Sequence, residues 1–279
     1  TITARPITIK ADVQTKMYGD ADPGLTYQLT AGNLVGSDTL AGALTRVSGE
    51  NVGSYTIQQG TVGNSNYNIT YASDTLSITA RPITLTADAK TKVYGTLDAP
   101  LTYNVGGSGL AFSDTVTGGL SRLAGEAVGT YAIGQNNLNV DPAVAGNYTV
   151  TYTGANYTIT QKDVGVFSAV AQGKVYDGTR GAAVTGATLS GEAFGTGSSS
   201  DLKVYSGDNV TLGGATSGLF ADKNVGTWSV GTTMSLSGSD SGNYNLIQPN
   251  LSASITAKDL TLPAAAVVTK AYDATTAAS

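Results

Sequence analysis

Ser77-Ile78-Thr79-Ala80-Arg81-Pro82-Ile83-Thr84-Leu85 is the stretch that decides the fold. Ile78 closes one series of alternating apolar residues, and Ile83 and Leu85 open the next. Only Thr79, Ala80, Arg81 and Pro82 lie between them. Pro82 fixes its own φ and pushes Arg81 toward an extended conformation. So short and stiff a junction predicts that the last strand of one domain runs directly into the first strand of the next.

The junction recurs. Thr3-Ala4-Arg5-Pro6-Ile7-Thr8-Ile9 returns 76 residues later as Thr79-Ala80-Arg81-Pro82-Ile83-Thr84-Leu85. The same offset carries Thr15-Lys16-Met17-Tyr18-Gly19 onto Thr91-Lys92-Val93-Tyr94-Gly95, and Leu25-Thr26-Tyr27 onto Leu101-Thr102-Tyr103. It also carries Ser37-Asp38-Thr39 onto Ser113-Asp114-Thr115, Gly49-Glu50 onto Gly125-Glu126, and Val52-Gly53 with Tyr55 onto Val128-Gly129 with Tyr131. A loop then grows by five residues, so that Asn66-Tyr67 matches Asn147-Tyr148. A longer third unit opens at Lys162-Asp163-Val164 and carries Lys174-Val175-Tyr176-Asp177-Gly178, Val225-Gly226-Thr227-Trp228 and Gly242-Asn243-Tyr244. A fourth start, Lys258-Asp259-Leu260-Thr261-Leu262, reaches Lys270-Ala271-Tyr272-Asp273-Ala274. Self-similarity at a fixed period marks a repeat array. The units are 1–80, 81–161, 162–257 and a truncated 258–279, the last expected to hold one or two frayed strands. The chain opens mid-pattern on Thr1 without a signal peptide, and it reads as a fragment of something longer.

Within a unit the period is two. Tyr67, Ile69 and Tyr71 alternate with Asn68 and Thr70, and Tyr148, Val150 and Tyr152 repeat the pattern. Thr, Val, Ile and Tyr suit a pleated, half-buried surface, with Gly, Asn, Asp and Pro marking the turns between runs. Strands are expected near 6–11, 15–18, 25–30, 39–46, 54–59, 67–72 and 75–79. The one Ala-rich stretch, Pro263 to Val268, is too short to read as a helix. The fold class is all-β: three tandem small β-sandwich, Ig-like domains in an elongated array, with a β-grasp-like unit as the alternative. At about 40 Å per unit, three would reach roughly 120 Å. A 76-residue unit without a disulfide is marginal alone, so packed neighbours are expected to support one another.

Composition excludes several functions. The 279 residues contain no histidine and no cysteine, which removes imidazole bases, thiol nucleophiles, disulfides and nitrogen or sulfur metal sites. The net charge of −5 opposes binding to nucleic acid. No apolar run is long enough to span a membrane. There is no Gly-x-Ser-x-Gly elbow, and carboxylates in an array would lie on separate domains without a cleft, so no enzyme activity and no catalytic residue are expected.

Each residue that invites a functional story has a plainer reading. Tyr18-Gly19, Tyr94-Gly95 and Tyr176-Asp177-Gly178 could stack on sugars, but a position that recurs in every unit is a fold requirement, with tyrosine at a strand end and glycine in the turn. Trp228, the only tryptophan, falls where Tyr55 and Tyr131 stand and is expected to pack in a core or junction. Calcium is the one metal that oxygen ligands alone would hold; its candidates are Asp20 and Asp22 and the stretch Ser237 to Asp240, which lack the dense carboxylate spacing of a good site and read as turns. Lys16, Lys92, Lys174 and Lys270 recur, as do Asn66, Asn147 and Asn243. With Glu50 or Glu126 beside them they raise an intramolecular isopeptide crosslink, but Lys223 stands at the matching place in unit three. The ordinary reading has each lysine stem along an apolar face with its head in water.

Lys-x-Tyr-Gly followed by Leu-Thr-Tyr, Gly-Glu-x-Val-Gly-x-Tyr and Asn-Tyr resembles the tandem repeats called MBG domains of the Tyr-Gly-x type. These occur in large bacterial surface adhesins, including filamentous-haemagglutinin-like exoproteins. Unit three, with Val175-Tyr176-Asp177-Gly178, resembles the companion YDG repeat, and the fourth start departs from it at Ala274. The resemblance implies a secreted protein of the bacterial cell surface, engaged in cell adhesion and biofilm formation, whose repeats form a stalk that spaces an adhesive region from the cell. It brings over no catalytic, cofactor or metal residue. The partners it implies are the neighbouring repeats. The alternative function is a glycan- or protein-binding module, acting on matrix glycan or a host surface protein through unit three. There the inserted segment Gly191 to Tyr205, with Gly195-Thr196-Gly197-Ser198-Ser199-Ser200, is either a binding loop or, as its composition favours, a flexible insertion.

Overall fold

The computed structural model describes residues 1–194, 199–264, 271, 272 and 274. Strands and two 3-10 turns, Ala145–Asn147 and Ser241–Asn243, make up its regular structure, and no α-helix occurs among the described residues. The chain is all-β and forms two compact units. One contains residues 1–92 and 97–160; the other contains Val93–Thr96 and residues from Gln161 onward.

In the first unit the opening repeat forms β1 (Arg5–Ala11), β2 (Gln14–Met17), β3 (Tyr27–Ala31), β4 (Thr45–Arg46), β5 (Gly53–Gln58), β6 (Tyr67–Ala72) and β7 (Thr75–Thr79). They make two sheets, ordered β3-β1-β6 and β2-β7-β5-β4. The chain changes sheet at every connection except that from β4 to β5, and the β1-to-β2 crossing stacks on the β6-to-β7 crossing. Each sheet therefore contains one parallel pair: β1 on β6, with Ile7 opposite Ile69, and β2 on β7, with Lys16 opposite Ile78. The remaining pairs are antiparallel. Alternation puts Ile7, Ile9 and Ala11 of β1 inward, where Ile9 and Ala11 share a core with Ile57, Leu76 and Ile78 of the facing sheet. This is a sandwich, with two sheets closing on one apolar layer.

The next strand, Arg81–Ala87, begins one residue after β7 ends, as the junction predicts. It is central in a second three-stranded sheet, between Tyr103–Gly107 and Tyr148–Thr153. The matching four-stranded sheet has the order Ser121–Arg122, Gly129–Gly134, Ala155–Thr160, Lys90–Val93. The cores of the two repeats are not separate. Ile83, Leu85, Leu138 and Tyr148 belong to the same buried cluster as Ile9, Leu76 and Tyr18.

One expected strand is largely absent. The run 39–46 reduces to Thr45–Arg46 and an isolated bridge from Ala41 to Gly63. Gly42 interrupts it: its φ is +90°, and a Cβ there would lie 2.2 Å from the Thr61 carbonyl oxygen.

In the second unit a six-stranded sheet runs Val170–Ala171, Gly181–Thr185, Ser217–Phe220, Gly226–Gly231, Leu251–Thr256, Lys174–Val175. Ala171, Ala182, Phe220, Val230 and Ile255 form a core on it. Lys162–Gly165 pairs in parallel with Tyr244–Ile247. The inserted segment is held at both ends, where Gly191–Glu192 pairs in parallel with Val204–Tyr205. Gly195 to Ser198 of the candidate loop lie outside the described residues. Residues 258–264 form no strand, contrary to expectation. Lys270, Asp273 and most of the Ala-rich stretch fall outside the described residues.

Candidate functional site

The Tyr-Gly position does more than end a strand. In the first unit Tyr18 leaves β2, takes its backbone hydrogen bond from N–H to the Thr79 carbonyl at 2.9 Å, and turns its ring into the second repeat. Tyr18 is 4 % exposed. It meets Tyr148 and Phe112 edge-on, each with centroids 5.4 Å away. Its hydroxyl donates to Asp114 Oδ2 at 3.0 Å. The same oxygen accepts from the Tyr148 hydroxyl at 2.6 Å, and that hydroxyl accepts from the Ala111 N–H at 2.9 Å. A loop amide, a carboxylate and a strand tyrosine of one repeat thus form a socket for the tyrosine of the repeat before it. Burial first, and then the Asp114 carboxylate, raise the Tyr18 hydroxyl above its ordinary range and push Tyr148 up to about 12.

Gly19 explains the close approach. Its φ is +84°, and a Cβ on it would lie 2.3 Å from Ala111 Cβ. Two further side chains close the seam. Arg81 donates backward to Tyr18 O and Asp20 Oδ1, both at 3.0 Å, and forward to Gly109 O at 2.9 Å and Ser108 O at 2.6 Å. Asn147, which is buried, accepts from the Val52 N–H at 2.8 Å and donates to Asn51 Oδ1 at 3.0 Å.

The second unit contains the same constellation with different rings. Tyr94 donates to Asp208 Oδ2 at 2.9 Å, the Tyr244 hydroxyl donates to the same oxygen, and the Tyr205 N–H donates to the Tyr244 hydroxyl at 2.9 Å. Phe194 and Tyr205 lie edge-on or tilted to Tyr94 and to each other. Gly95, at φ +79°, faces the Tyr205 ring, to which a Cβ would approach within 2.0 Å. Burial and Asp208 raise both Tyr94 and Tyr244.

Lys16 and Lys92 are not the water-facing residues the sequence suggested. The Lys16 side chain is 3 % exposed, and its Nζ lies 2.5 Å from Glu50 and 2.7 Å from Asp22. Arg46 grips the same two carboxylates, at 2.6 Å to Asp22 and 2.5 Å to Glu50. Lys92, Asp98, Arg122 and Glu126 repeat the quartet. Two cations against two anions leave no net charge, which is how a buried ammonium is tolerated. Burial opposes the charge on Lys16, but hydrogen bonds to Asp22 and Glu50 outweigh it and raise its pKa. Arg46 and then Lys16 lower Asp22 to about 2. The quartet pins the loop after β2 to the turn before β5. Glu50 thus meets Lys16 as an ion pair, and Asn147 serves the seam, so the isopeptide trio is not assembled in these repeats. Lys174 pairs with Asp177 at 2.9 Å.

In the third repeat the arginine of the junction is replaced by Lys162, which is fully buried. Its Nζ lies 2.6 Å from Asp201, 3.1 Å from Glu192 and 2.9 Å from the Lys203 carbonyl oxygen, under the Tyr205 ring. Burial, with Asp201 beside it, raises Glu192, whereas hydrogen bonds from Lys162 and from the Lys203 N–H help to hold Asp201 low. The inserted segment therefore delivers Glu192, Asp201 and Tyr205 to the interior of its own unit.

The remaining candidates make contacts within the chain. Trp228 donates to Asn224 O at 2.8 Å, as Tyr55 does to Asn51 O and Tyr131 to Ala127 O. Asp20 and Asp22 are engaged by cations, and Asp240 accepts from the Asn209 N–H at 2.8 Å. Among the described residues no three carboxylates are grouped as metal ligands would be. The alignment Ser37-Asp38-Thr39 with Ser113-Asp114-Thr115 marked the socket acid, and Arg46 recurs as Arg122; both signals were in the sequence without an assigned role.

A family model described as MBG domain (YGX type) matches residues 7–77 and 83–163, more than half of the chain. One described as YDG domain matches residues 160–253. No curated protein matches significantly.

Proposed function

Since the chain belongs to the MBG domain (YGX type) family, with a YDG domain following, we propose that it is a non-catalytic spacer: a stretch of surface-protein repeats that holds an adhesive region away from a bacterial cell. The observation that carries this reading is the tyrosine joint. A ring buried in the next repeat, a shared carboxylate and a glycine without clearance make neighbouring repeats mechanically dependent on each other. A spacer needs such coupling; a set of independent binding modules does not. The extracellular location and the adhesive partner belong to the same proposal. The alternative, glycan or protein binding through the third repeat, is less favoured because the described part of its insertion is spent on internal contacts with Lys162 and Tyr94. Small-angle X-ray scattering of the 279-residue chain, with and without calcium, tests the reading. A rod with a maximum dimension near 120 Å, on the scale of summed strand lengths, supports it. A compact particle overturns it, and a rod that requires calcium reassigns the aspartate turns.

A further inference from the structure

The first repeat carries the same socket with no tyrosine from another repeat in it. The Val35 N–H donates to the Tyr67 hydroxyl at 2.8 Å, and that hydroxyl donates to Asp38 Oδ2 at 2.8 Å. These are the groups of Ala111, Tyr148 and Asp114, and of Tyr205, Tyr244 and Asp208, in the same order and with the same donors. In both of those sockets the carboxylate accepts a second phenol, from Tyr18 or Tyr94. Among the described residues Asp38 accepts from Tyr67 alone. The rim of the socket is uncovered: Val35 is 52 % exposed, whereas its counterpart Ala111 is 6 % exposed. Asn66 is exposed where Asn147 is buried against the neighbouring loop.

We propose that Val35, Asp38 and Tyr67 form a binding site for the Tyr-Gly turn of another repeat of the MBG type. The occupant is fixed by chemistry. The second lone pair of Asp38 asks for a neutral hydroxyl donor at the end of an aromatic ring. The backbone beside it asks for a residue without Cβ, as Gly19 and Gly95 are in the filled sockets. A carbohydrate hydroxyl would satisfy the carboxylate but would not bring a ring into the place that Tyr18 and Tyr94 occupy. The proposal rests on the reading of the tyrosine joints as the locks between repeats.

Residues 5–80 can be duplicated in the full chain without altering the junction, because Thr79-Ala80 followed by Arg5-Pro6-Ile7-Thr8 reproduces the natural Thr79-Ala80-Arg81-Pro82-Ile83-Thr84. Backbone hydrogen exchange is then read by mass over segments 33–38 and 109–114. In the 279-residue chain, 109–114 should exchange about tenfold to hundredfold more slowly than 33–38, the ratio expected for one charge-assisted hydrogen bond that must open. In the extended chain, which carries segment 33–38 twice, half of that peptide should slow by the same factor, that of the downstream copy, while the upstream copy stays fast; Tyr18→Ala in the upstream copy, or Asp38→Ala in the downstream one, should restore fast exchange. Equal exchange of the two segments in the unextended chain overturns the joint reading itself. Slow 109–114 with both copies of 33–38 fast in the extended chain overturns only the open socket.

Discussion

Gly19 directly follows Tyr18 and Gly178 stands two residues after Tyr176; both have left-handed backbone, at φ +84° and +78°, yet their surroundings differ. A Cβ on Gly19 would stand 2.3 Å from Ala111 Cβ, whereas a Cβ on Gly178 would meet nothing within 4 Å. Alanine at either position carries the left-handed backbone cost of about 1–2 kcal/mol. Only Gly19→Ala also drives two carbons inside their contact distance of about 3.5–4.0 Å, so the facing loop must retreat by more than about 1 Å. Ala111 is buried and hydrogen bonded through its N–H to Tyr148, which makes that retreat expensive. Overpacking of this kind costs about 1–3 kcal/mol. Gly178→Ala should therefore destabilise by about 1–2 kcal/mol and Gly19→Ala by about 2–5 kcal/mol. Urea unfolding followed by far-UV circular dichroism measures both, with Trp228 fluorescence as a separate report on the third repeat. Ala111→Gly in the Gly19→Ala background should recover the overpacking part alone, which is the interaction energy of a double-mutant cycle. If Gly19→Ala cost no more than Gly178→Ala, the close approach at the joint would not exist in solution, and the argument built on it would fall.

Tyr18→Phe keeps the edge-on ring contacts and removes one hydrogen bond to a carboxylate; because Asp114 retains Tyr148, the loss should sit near the low end of about 1.5–3 kcal/mol, and a change within the noise of a surface substitution refutes the bond. At high pH the joint should loosen: a phenol raised in the folded state stabilises it fully below the unfolded value near 10 and ceases to do so as pH climbs through about 12, the value for Tyr148. Tyrosinate absorbance that rises in a single step at about pH 10 would contradict this. At low pH the sign reverses. Asp22 is held at about 2, so its contribution is complete above the unfolded value near 3.9 and disappears as pH falls through about 2. Asp22→Asn should flatten the acid limb of the stability curve, and an unchanged limb would show that the quartet is solvated.

Much of this fold was legible because strand period and turn chemistry are local. Ile7, Ile9 and Ala11 alternate, and the one-residue gap between Thr79 and Arg81 follows from a proline that forbids a helix there. The run 39–46 misled because its residues favour strand while Gly42 must turn, and a glycine inside an alternating series reads either way until its neighbour Thr61 is placed. The lysines misled for a different reason. Whether an ammonium lies in water or among carboxylates depends on residues 34 positions away, here Glu50 for Lys16 and Glu126 for Lys92. The recurrence of Lys, Asp, Arg and Glu at one offset was the available signal. The joint was harder still, because the Tyr18 hydroxyl and the Asp114 carboxylate are separated by a whole repeat, and a recurring tyrosine satisfied the simpler account of a strand end.

The two occupied sockets also argue for what the design conserves. The position that faces the glycine is Ala111 in one and Tyr205 in the other, and the flanking ring is Phe112 or Phe194 from segments of different length. Packing partners are thus exchangeable, as core residues of similar reach generally are. The hydrogen-bonded path is not: amide to tyrosine, tyrosine to aspartate, incoming tyrosine to the same oxygen. Apolar contact supplies the stability of a joint, but its lack of direction would allow the repeats to slip. Two hydroxyls aligned on one carboxylate oxygen, one of them also held by a backbone amide, fix a single register, because a displaced ring would leave a buried hydroxyl or a carboxylate without its partner. Register is what an array must transmit from repeat to repeat, and it resides in Asp114 and Asp208 rather than in the surface area around them.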